Sequence, residues 1–445
     1  MDSKLRDLST LRPYQYEGVK FLLERENALL ADEMGLGKTV QTAVALQSLF
    51  SQKLCNRALV VCPASLCMNW EFELKRWTSN LKIRVVKGNF DDRKAIFWLP
   101  YHIYIASYET VRSDIDFIER EMNSDLVILD EAQKIKNINS SLALSCRLLT
   151  RKRAWALTGT PLENHPDDLI SIFQFIKPGL LHSALSLSEI HERIKDYFLR
   201  RKKSDVLKEM PPLQVQDLIL EMSGIQRQVY SDVFFDSVSS LSESREKITS
   251  MDILAKITKL KQICNFEPWS GESCKMDALT TILEGLEETQ YKVVVFSQYV
   301  KTLLQIKVHL TNVSVSIFHG GMSADERNQV VRDFESSEGP KVLLISLKAG
   351  GVGLNLSTAS LIILFDRWWN PAVEDQAMQR GHRFGRTLPL QVIRFLVEDT
   401  IEERIQRILQ EKKNLFQGYV EDATVANIGT FTRADLMEIM SSDRE

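Results

Sequence analysis

Asp32-Glu33-Met34-Gly35-Leu36-Gly37-Lys38-Thr39 ends a short apolar run, residues 28–31, and opens an amphipathic helix. Glycines at 35 and 37 let backbone N–H groups approach phosphate oxygens, and the helix that follows points its positive end at them. Lys38 adds a mobile charge, Thr39 a hydroxyl suited to Mg²⁺, and the whole spacing suits a triphosphate. The strict form of such a loop has another glycine where this chain has Asp32. A surface turn before a helix would read much the same, so the assignment depends on what accompanies it.

About ninety residues on, Asp125-Leu126-Val127-Ile128-Leu129 reads as a buried parallel strand running into Asp130-Glu131-Ala132-Gln133. Acids at the C-terminal end of such a strand face the crevice in which α/β sheets bind ligands. Asp130 is placed to hold Mg²⁺ and Glu131 to orient and deprotonate a water that attacks a γ-phosphate. An acidic helix cap is the bland alternative. Far along the chain, in Gln376-Ala377-Met378-Gln379-Arg380-Gly381-His382-Arg383-Phe384-Gly385-Arg386, the arginines at 380 and 383 lie one helical turn apart. One face can present both guanidinium groups to charge on a transferred phosphoryl group. Phosphate loop, strand-end acids and arginine pair, in that order, describe an ATPase whose site lies between two lobes.

Composition sets limits. The chain has 445 residues, 44% of them hydrophobic, enough for more than one core. Its 56 basic and 59 acidic residues leave a net charge of −3, so any nucleic-acid surface has to be a local patch. No apolar run is long enough to span a bilayer, and residues 1–10 are too charged for a secretory signal, so the expectation is a soluble intracellular protein without a membrane partner. Cysteines 55, 62, 67, 146, 264 and 274 lack the paired short spacings of a zinc site or a disulfide framework.

Strand-like runs at 58–62, 102–106, 126–129 and 154–158 alternate with helical stretches, as in a parallel sheet wrapped by crossovers. From about 185 to 274 the pattern turns helical and charged. Strand-like runs resume at 293–296, 313–318, 342–345, 361–365 and 392–395, and 400–417 closes as a charged helix. The expected organisation is an α/β lobe over 1–184, a helical protrusion and linker over 185–275, and a second α/β lobe over 276–445.

These motifs resemble those of the Swi/Snf-type ATPases of helicase superfamily two, over nearly the whole chain. The resemblance implies two RecA-like parallel-sheet lobes with a helical insertion between them, using ATP and Mg²⁺. Leu11-Arg12-Pro13-Tyr14-Gln15-Tyr16-Glu17-Gly18-Val19 is similar to the family's first motif, in which Gln15 would recognise adenine. Asp32, Gly35, Leu36, Gly37, Lys38 and Thr39 match the family form of the phosphate loop, which accounts for the missing glycine. Leu59-Val60-Val61-Cys62-Pro63-Ala64-Ser65-Leu66, followed by Asn69-Trp70, resembles a motif that lays the first lobe along a DNA strand, with Ser65 as the contact. Trp70 itself reads equally well as core.

Leu157-Thr158-Gly159-Thr160-Pro161 resembles the motif that couples the ATP site to the rest of the protein through Thr158 and Thr160. Residues 199–212 look like the family's basic connector, though a bare charge run is more often a solvated face. In the second lobe, Phe318-His319-Gly320-Gly321 and the run from Leu344 to Asn355 match motifs that carry DNA phosphates, giving Ser346, Lys348 and Gly350 as contacts. Asp366-Arg367-Trp368-Trp369-Asn370-Pro371 is similar to a segment whose tryptophan, here Trp369, touches DNA. Two positions depart from the family pattern: Gln133 stands where many relatives have histidine, keeping an interlobe hydrogen bond but not its titration, and Arg386 stands where glutamine is usual.

The resulting expectation is a monomeric motor that translocates along double-stranded DNA and pushes, rotates or evicts a DNA-bound protein client. It would be nucleoid-associated in a prokaryotic cytoplasm, or nuclear in a eukaryote. A strand-separating DNA or RNA helicase and an ATP-controlled DNA clamp are the rival readings.

Overall fold

The computed structural model describes residues 11–441 except 160–165, 208, 210, 212, 223, 244–248, 287–290, 337–338, 340, 351–353, 355, 370, 383–385, 387–388 and 418–430. The chain divides into two compact units, Met1–Glu209 and Met210–Glu445.

The first unit carries a seven-stranded sheet whose strands are β1 (Asn27–Leu30), β2 (Ala58–Cys62), β3 (Ile83–Val85), β4 (Ile103–Ser107), β5 (Leu126–Asp130), β6 (Arg153–Leu157) and β7 (Phe198–Leu199). Their order across the sheet is β3-β4-β2-β5-β6-β1-β7, and every pairing is parallel. Strands buried on both faces need no polar side, which is why β2, β4 and β5 read as unbroken apolar runs. Successive residues still serve opposite faces: Leu59, Val61, Val127 and Leu129 pack into one core, and Ala58, Val60, Leu126 and Ile128 into another.

The second unit repeats the design with β8 (Leu213–Leu220), β9 (Val293–Ser297), β10 (Val315–Phe318), β11 (Val342–Ser346), β12 (Leu361–Leu364) and β13 (Leu390–Val397). The order is β10-β11-β9-β12-β13-β8, again parallel throughout. Both α/β lobes expected from the sequence are therefore present.

The stretch 185–275, expected as a helical protrusion and linker, contributes to both units. Residues up to Glu209 belong to the first unit and supply its edge strand β7, while β8 is an edge strand of the second sheet. A two-residue strand has no readable period, and β8 lies mostly exposed at its edge, so neither gives the buried run on which the sequence reading relied. Helices Gly224–Glu243 and Ser250–Asn265 do form, and they pack with Ile401–Gln417 and Arg433–Ile439 around Ile253, Ile257, Ile405, Ile408 and Leu436. Among the described residues no helix is long and apolar enough to cross a membrane.

Candidate nucleotide site

Because the strands of the first unit are parallel, their C-terminal ends share one edge of the sheet, and the predicted residues leave the sheet there. Asp32 follows β1 by two residues, Asp130 ends β5 and Thr158 follows β6 directly. The phosphate loop has the backbone its glycines predict: Gly35 and Gly37 adopt φ of 88° and 78°, and Gly37 caps the helix Lys38–Ser51 from the left-handed region. At Gly37 a side chain is excluded twice over, since a Cβ would also lie 2.6 Å from Gln15 Nε2. Lys38 Nζ donates to the Asp32 carbonyl at 2.7 Å, folding the ammonium back over the loop. Gln15 spans from its own helix to the loop: its Oε1 accepts from Arg12 N at 3.1 Å and its Nε2 donates to the Leu36 carbonyl at 3.3 Å.

Asp32 explains itself. Its carboxylate is fully buried and receives Arg201 Nε at 2.9 Å, Arg201 Nη2 at 2.5 Å and Gln41 Nε2 at 3.1 Å. A glycine there would leave the largely buried Arg201 guanidinium with only the exposed Glu17 carboxylate at 3.6 Å as counter-ion, a costly arrangement. Arg201 belongs to the basic run that resembles the family's connector and that, as a bare charge run, would more often be a solvated face. Here its side chain is largely withdrawn from solvent, because the β1–β7 ladder continues past its strand ends: Ala31 N bonds Leu199 O at 2.7 Å and Glu33 N bonds Arg201 O at 3.0 Å. No local signal in the sequence pairs residues so far apart.

Asp130 is 7% exposed. Its Oδ2 accepts the indole N–H of Trp70 at 2.7 Å, its Oδ1 accepts Glu131 N at 2.9 Å, and its carbonyl accepts Tyr108 Oη at 2.9 Å. Trp70, which the sequence left as possible core, is fully buried and also orients this acid. Burial first, and then the neighbouring Glu131, push the Asp130 carboxyl up to about 6, against the pull of Trp70 and Lys38. A desolvated carboxylate beside a second acid is expensive as a bare anion and fits a divalent cation, with the Thr39 hydroxyl in the first turn of its helix as a further oxygen donor.

Glu131 sits at φ 52°, ψ 52°, a left-handed conformation seldom taken by a glutamate and stored here at the site. Its Oε2 accepts Gln133 Nε2 at 2.6 Å, and Gln133 Oε1 accepts Thr158 Oγ1 at 2.8 Å. Gln133, expected to reach across to the other lobe, thus makes a relay inside the first unit from Thr158 to the candidate base. The next residue, Gly159, comes so close to the phosphate loop that a Cβ would lie 2.5 Å from Met34 Cγ.

Of the expected nucleic-acid contacts, Ser65 is exposed just beyond β2. Ser346 ends β11 and is buried, and Lys348 and Gly350 lie in the short helix Leu347–Gly350. Trp369 is half-buried, edge-on to Phe431 with ring centroids 5.4 Å apart and Lys261 Nζ 4.8 Å over its ring. Arg380 is buried in the helix Pro371–Gly381, and its carbonyl accepts Leu356 N at 3.1 Å. Arg386, the departure from the family pattern, donates to the carbonyls of Ser357 at 3.1 Å and Ala359 at 2.7 Å, bracing a turn of the second unit. Thr160 and Arg383 lie outside the described residues.

The SNF2-related domain model matches residues 14–268 and the helicase conserved C-terminal domain model residues 274–385. An uncharacterized ATP-dependent helicase of Mycoplasma genitalium is 36% identical over 92% of this chain and 42% of its own length. A CHD3-type chromatin-remodeling factor of Arabidopsis thaliana is 31% identical over 91% of this chain and 37% of its own. A solved structure, the Sulfolobus solfataricus SWI2/SNF2 ATPase core in complex with dsDNA, is 28% identical over 97% of each chain, with a TM-score of 0.45. The chain spans less than half the length of these curated relatives. With one family model covering most of the first 268 residues and the helicase C-terminal model taking over at 274, the chain belongs to the SNF2-related family of helicase-like ATPases.

Proposed function

We propose that the chain is the motor core of an ATPase that is driven by double-stranded DNA, translocates along the duplex and so remodels or displaces proteins bound to it. One observation carries the reading: Lys38, Asp130 and Glu131 gather at a single edge of a parallel sheet, and a hydrogen-bond relay runs from Glu131 through Gln133 to Thr158. Such a relay lets the motif after β6 respond to the state of the base. In this reading Gln15 meets adenine, Lys38 the phosphates, and Glu131 takes the proton of the attacking water. Thr39 and Asp130 would hold Mg²⁺, which would supply positive charge against the phosphates. Arg380 and Arg383 offset charge on the transferred phosphoryl group, and Thr158 and Thr160 couple that event to the rest of the chain. Ser65, Ser346, Lys348, Gly350 and Trp369 are the proposed contacts to DNA. Family membership supports the duplex substrate, as does the chromatin-remodeling description of the Arabidopsis relative.

The test is steady-state ATP hydrolysis without nucleic acid and with single-stranded DNA, duplex DNA or duplex RNA, with Lys38→Ala as the blank. Strong stimulation by duplex DNA alone, followed by displacement of a triplex strand, is the expected result. Equal stimulation by single strands or RNA would favour a strand-separating helicase instead. A Glu131→Gln variant that keeps its output on DNA would mark a clamp and not a motor.

A further inference from the structure

Arg201 lies two residues past β7, on the segment by which the chain leaves the first unit, and its guanidinium closes a ring of hydrogen bonds. It reaches both oxygens of Asp32, gives Nη2 to Gln41 Oε1 at 2.9 Å, and gives Nη1 to the carbonyl of Tyr14. The Gln41 amide passes on to Asp32 and, at 3.1 Å, to the Leu36 carbonyl in the phosphate loop. The same carbonyl accepts from Gln15, the neighbour of Tyr14 on the helix Pro13–Leu23. Space for the ring depends on Gly18, where a Cβ would lie 1.8 Å from Gln41 Oε1 and 2.8 Å from Arg201 Nη2.

From this closed circuit we infer that Arg201 is a positioning residue for the nucleotide: one guanidinium sets both the loop that takes the phosphates and the glutamine that takes the base. The inference rests on the reading of residues 32–39 as the ATP loop. An ion pair of purely structural value would cost stability when removed and leave base preference alone. A ring that holds both ends of the site makes phosphate affinity and adenine preference fall together, because the loop and Gln15 share the Leu36 carbonyl.

The experiment measures displacement of a fluorescent ADP from the full chain by ADP, GDP and tripolyphosphate, with Mg²⁺ and without DNA, beside thermal melting of the unliganded protein. Arg201→Met is expected to weaken ADP and tripolyphosphate by about tenfold or more and to bring the ADP and GDP affinities together. Arg201→Lys is expected to recover part of the affinity through a single ion pair and little of the base preference, since lysine cannot reproduce the fork. Gln41→Met, which keeps the ion pair, is expected to reduce base preference and keeps the test open if Arg201→Met does not fold. Wild-type ADP affinity and ADP-over-GDP preference in Arg201→Met, or unchanged preference in Gln41→Met, would overturn the inference. Wild-type ADP affinity in Lys38→Ala would instead overturn the reading of the loop, and the inference with it.

Discussion

In the second unit Lys261, Lys275 and Arg367 are buried among Asp366, Glu374 and Glu402, whereas at the strand ends of the first unit Asp130 is buried against an indole N–H and a backbone N–H. The arrangement in the second unit neutralises itself. Lys275 Nζ meets Glu402 Oε1 at 2.7 Å and Asn265 Oδ1 at 3.0 Å, Asn265 Nδ2 meets Asp366 Oδ2 at 3.1 Å, and Arg367 Nε meets Glu374 at 3.0 Å. These contacts join the helices Ser250–Asn265, Cys274–Glu284 and Ile401–Gln417 to the segment just past β12, so their product is a fixed junction. Among the described residues Asp130 has no such close salt bridge, only the more distant pull of Lys38, and this is the arrangement that the proposed Mg²⁺ site would call for. The difference separates charge used to hold a fold together from charge held ready for binding.

The comparison breaks most visibly at Lys275. Replacing it with methionine leaves Glu402 buried without its partner, which is expected to cost about 3–5 kcal/mol of stability. The double variant Lys275→Met/Glu402→Met is expected to recover most of that loss, because two apolar groups make no demand on each other. Urea unfolding of the four combinations gives the coupling directly. A single variant as stable as wild type would mean that the junction does not depend on charge.

Asp130 should behave in the opposite sense. Its carboxyl is raised to about 6 by burial and by Glu131, so the folded protein binds this proton more tightly than the unfolded chain does. The contribution of this one group to stability is then fullest at acid pH, falls as pH rises from the ordinary aspartate range to about 6, and stays reduced above that, by on the order of 3 kcal/mol. Asp130→Asn removes the titration. The asparagine amide must turn an N–H toward Trp70 or Glu131, a cost independent of pH, so without Mg²⁺ or nucleotide the gap between variant and wild type is expected to move in the variant's favour by on the order of 3 kcal/mol between about pH 4 and pH 7.5. Mg²⁺ should narrow the gap by stabilising wild type alone. A gap of constant size across pH would remove the claim that this acid is kept strained for a cation.

A smaller effect isolates Trp70. Trp70→Phe keeps most of the packing and removes the N–H held by Asp130 Oδ2, so ATP turnover is expected to fall by about 10–100-fold, with part of the loss recovered at high Mg²⁺. Turnover equal to wild type would return Trp70 to the plain core role that its burial alone implies.

What the sequence made legible follows from range. The phosphate loop, the strand-end acids and both sheets were readable because each is local: glycines at fixed offsets, an apolar run before two acids, and alternation of strands with helices. Trp70 and Arg201 were not, since each acts through a partner that only the parallel stacking of strands brings near, 60 residues away for Trp70 and Asp130 and 169 for Arg201 and Asp32; Gln41 lies close to the loop in sequence, but its part shows only once Arg201 is beside it. The basic run at 200–203 shows how the local rule misleads. A charge run is read as solvated, yet here Arg201 turns inward because ladder bonds from β1 hold the backbone of the run against the phosphate loop. Likewise β7 and β8 escaped the reading, the first because two residues carry no period and the second because none of its residues is buried.

Backbone strain offers the finest form of the same comparison, because each unit holds a non-glycine residue in the left-handed region at the end of a strand. Glu131 follows β5 at φ 52°, and Asp399 follows β13 at φ 55°, where its N–H meets Glu403 Oε2 at 3.0 Å. Relief of the strain by glycine gains roughly 1–2 kcal/mol and loses part of it to the greater freedom of the unfolded chain. Both Glu131→Gly and Asp399→Gly are therefore expected to raise stability by about 0.5–1 kcal/mol in urea unfolding. Their effects on ATP hydrolysis should part company. Asp399→Gly is expected to leave turnover near that of wild type, while Glu131→Gly removes the carboxylate that Gln133 orients and is expected to abolish it. If Glu131→Gly were instead destabilising, the left-handed turn would be held by the Gln133–Thr158 relay and would store no strain, and the site would owe its geometry to hydrogen bonds alone.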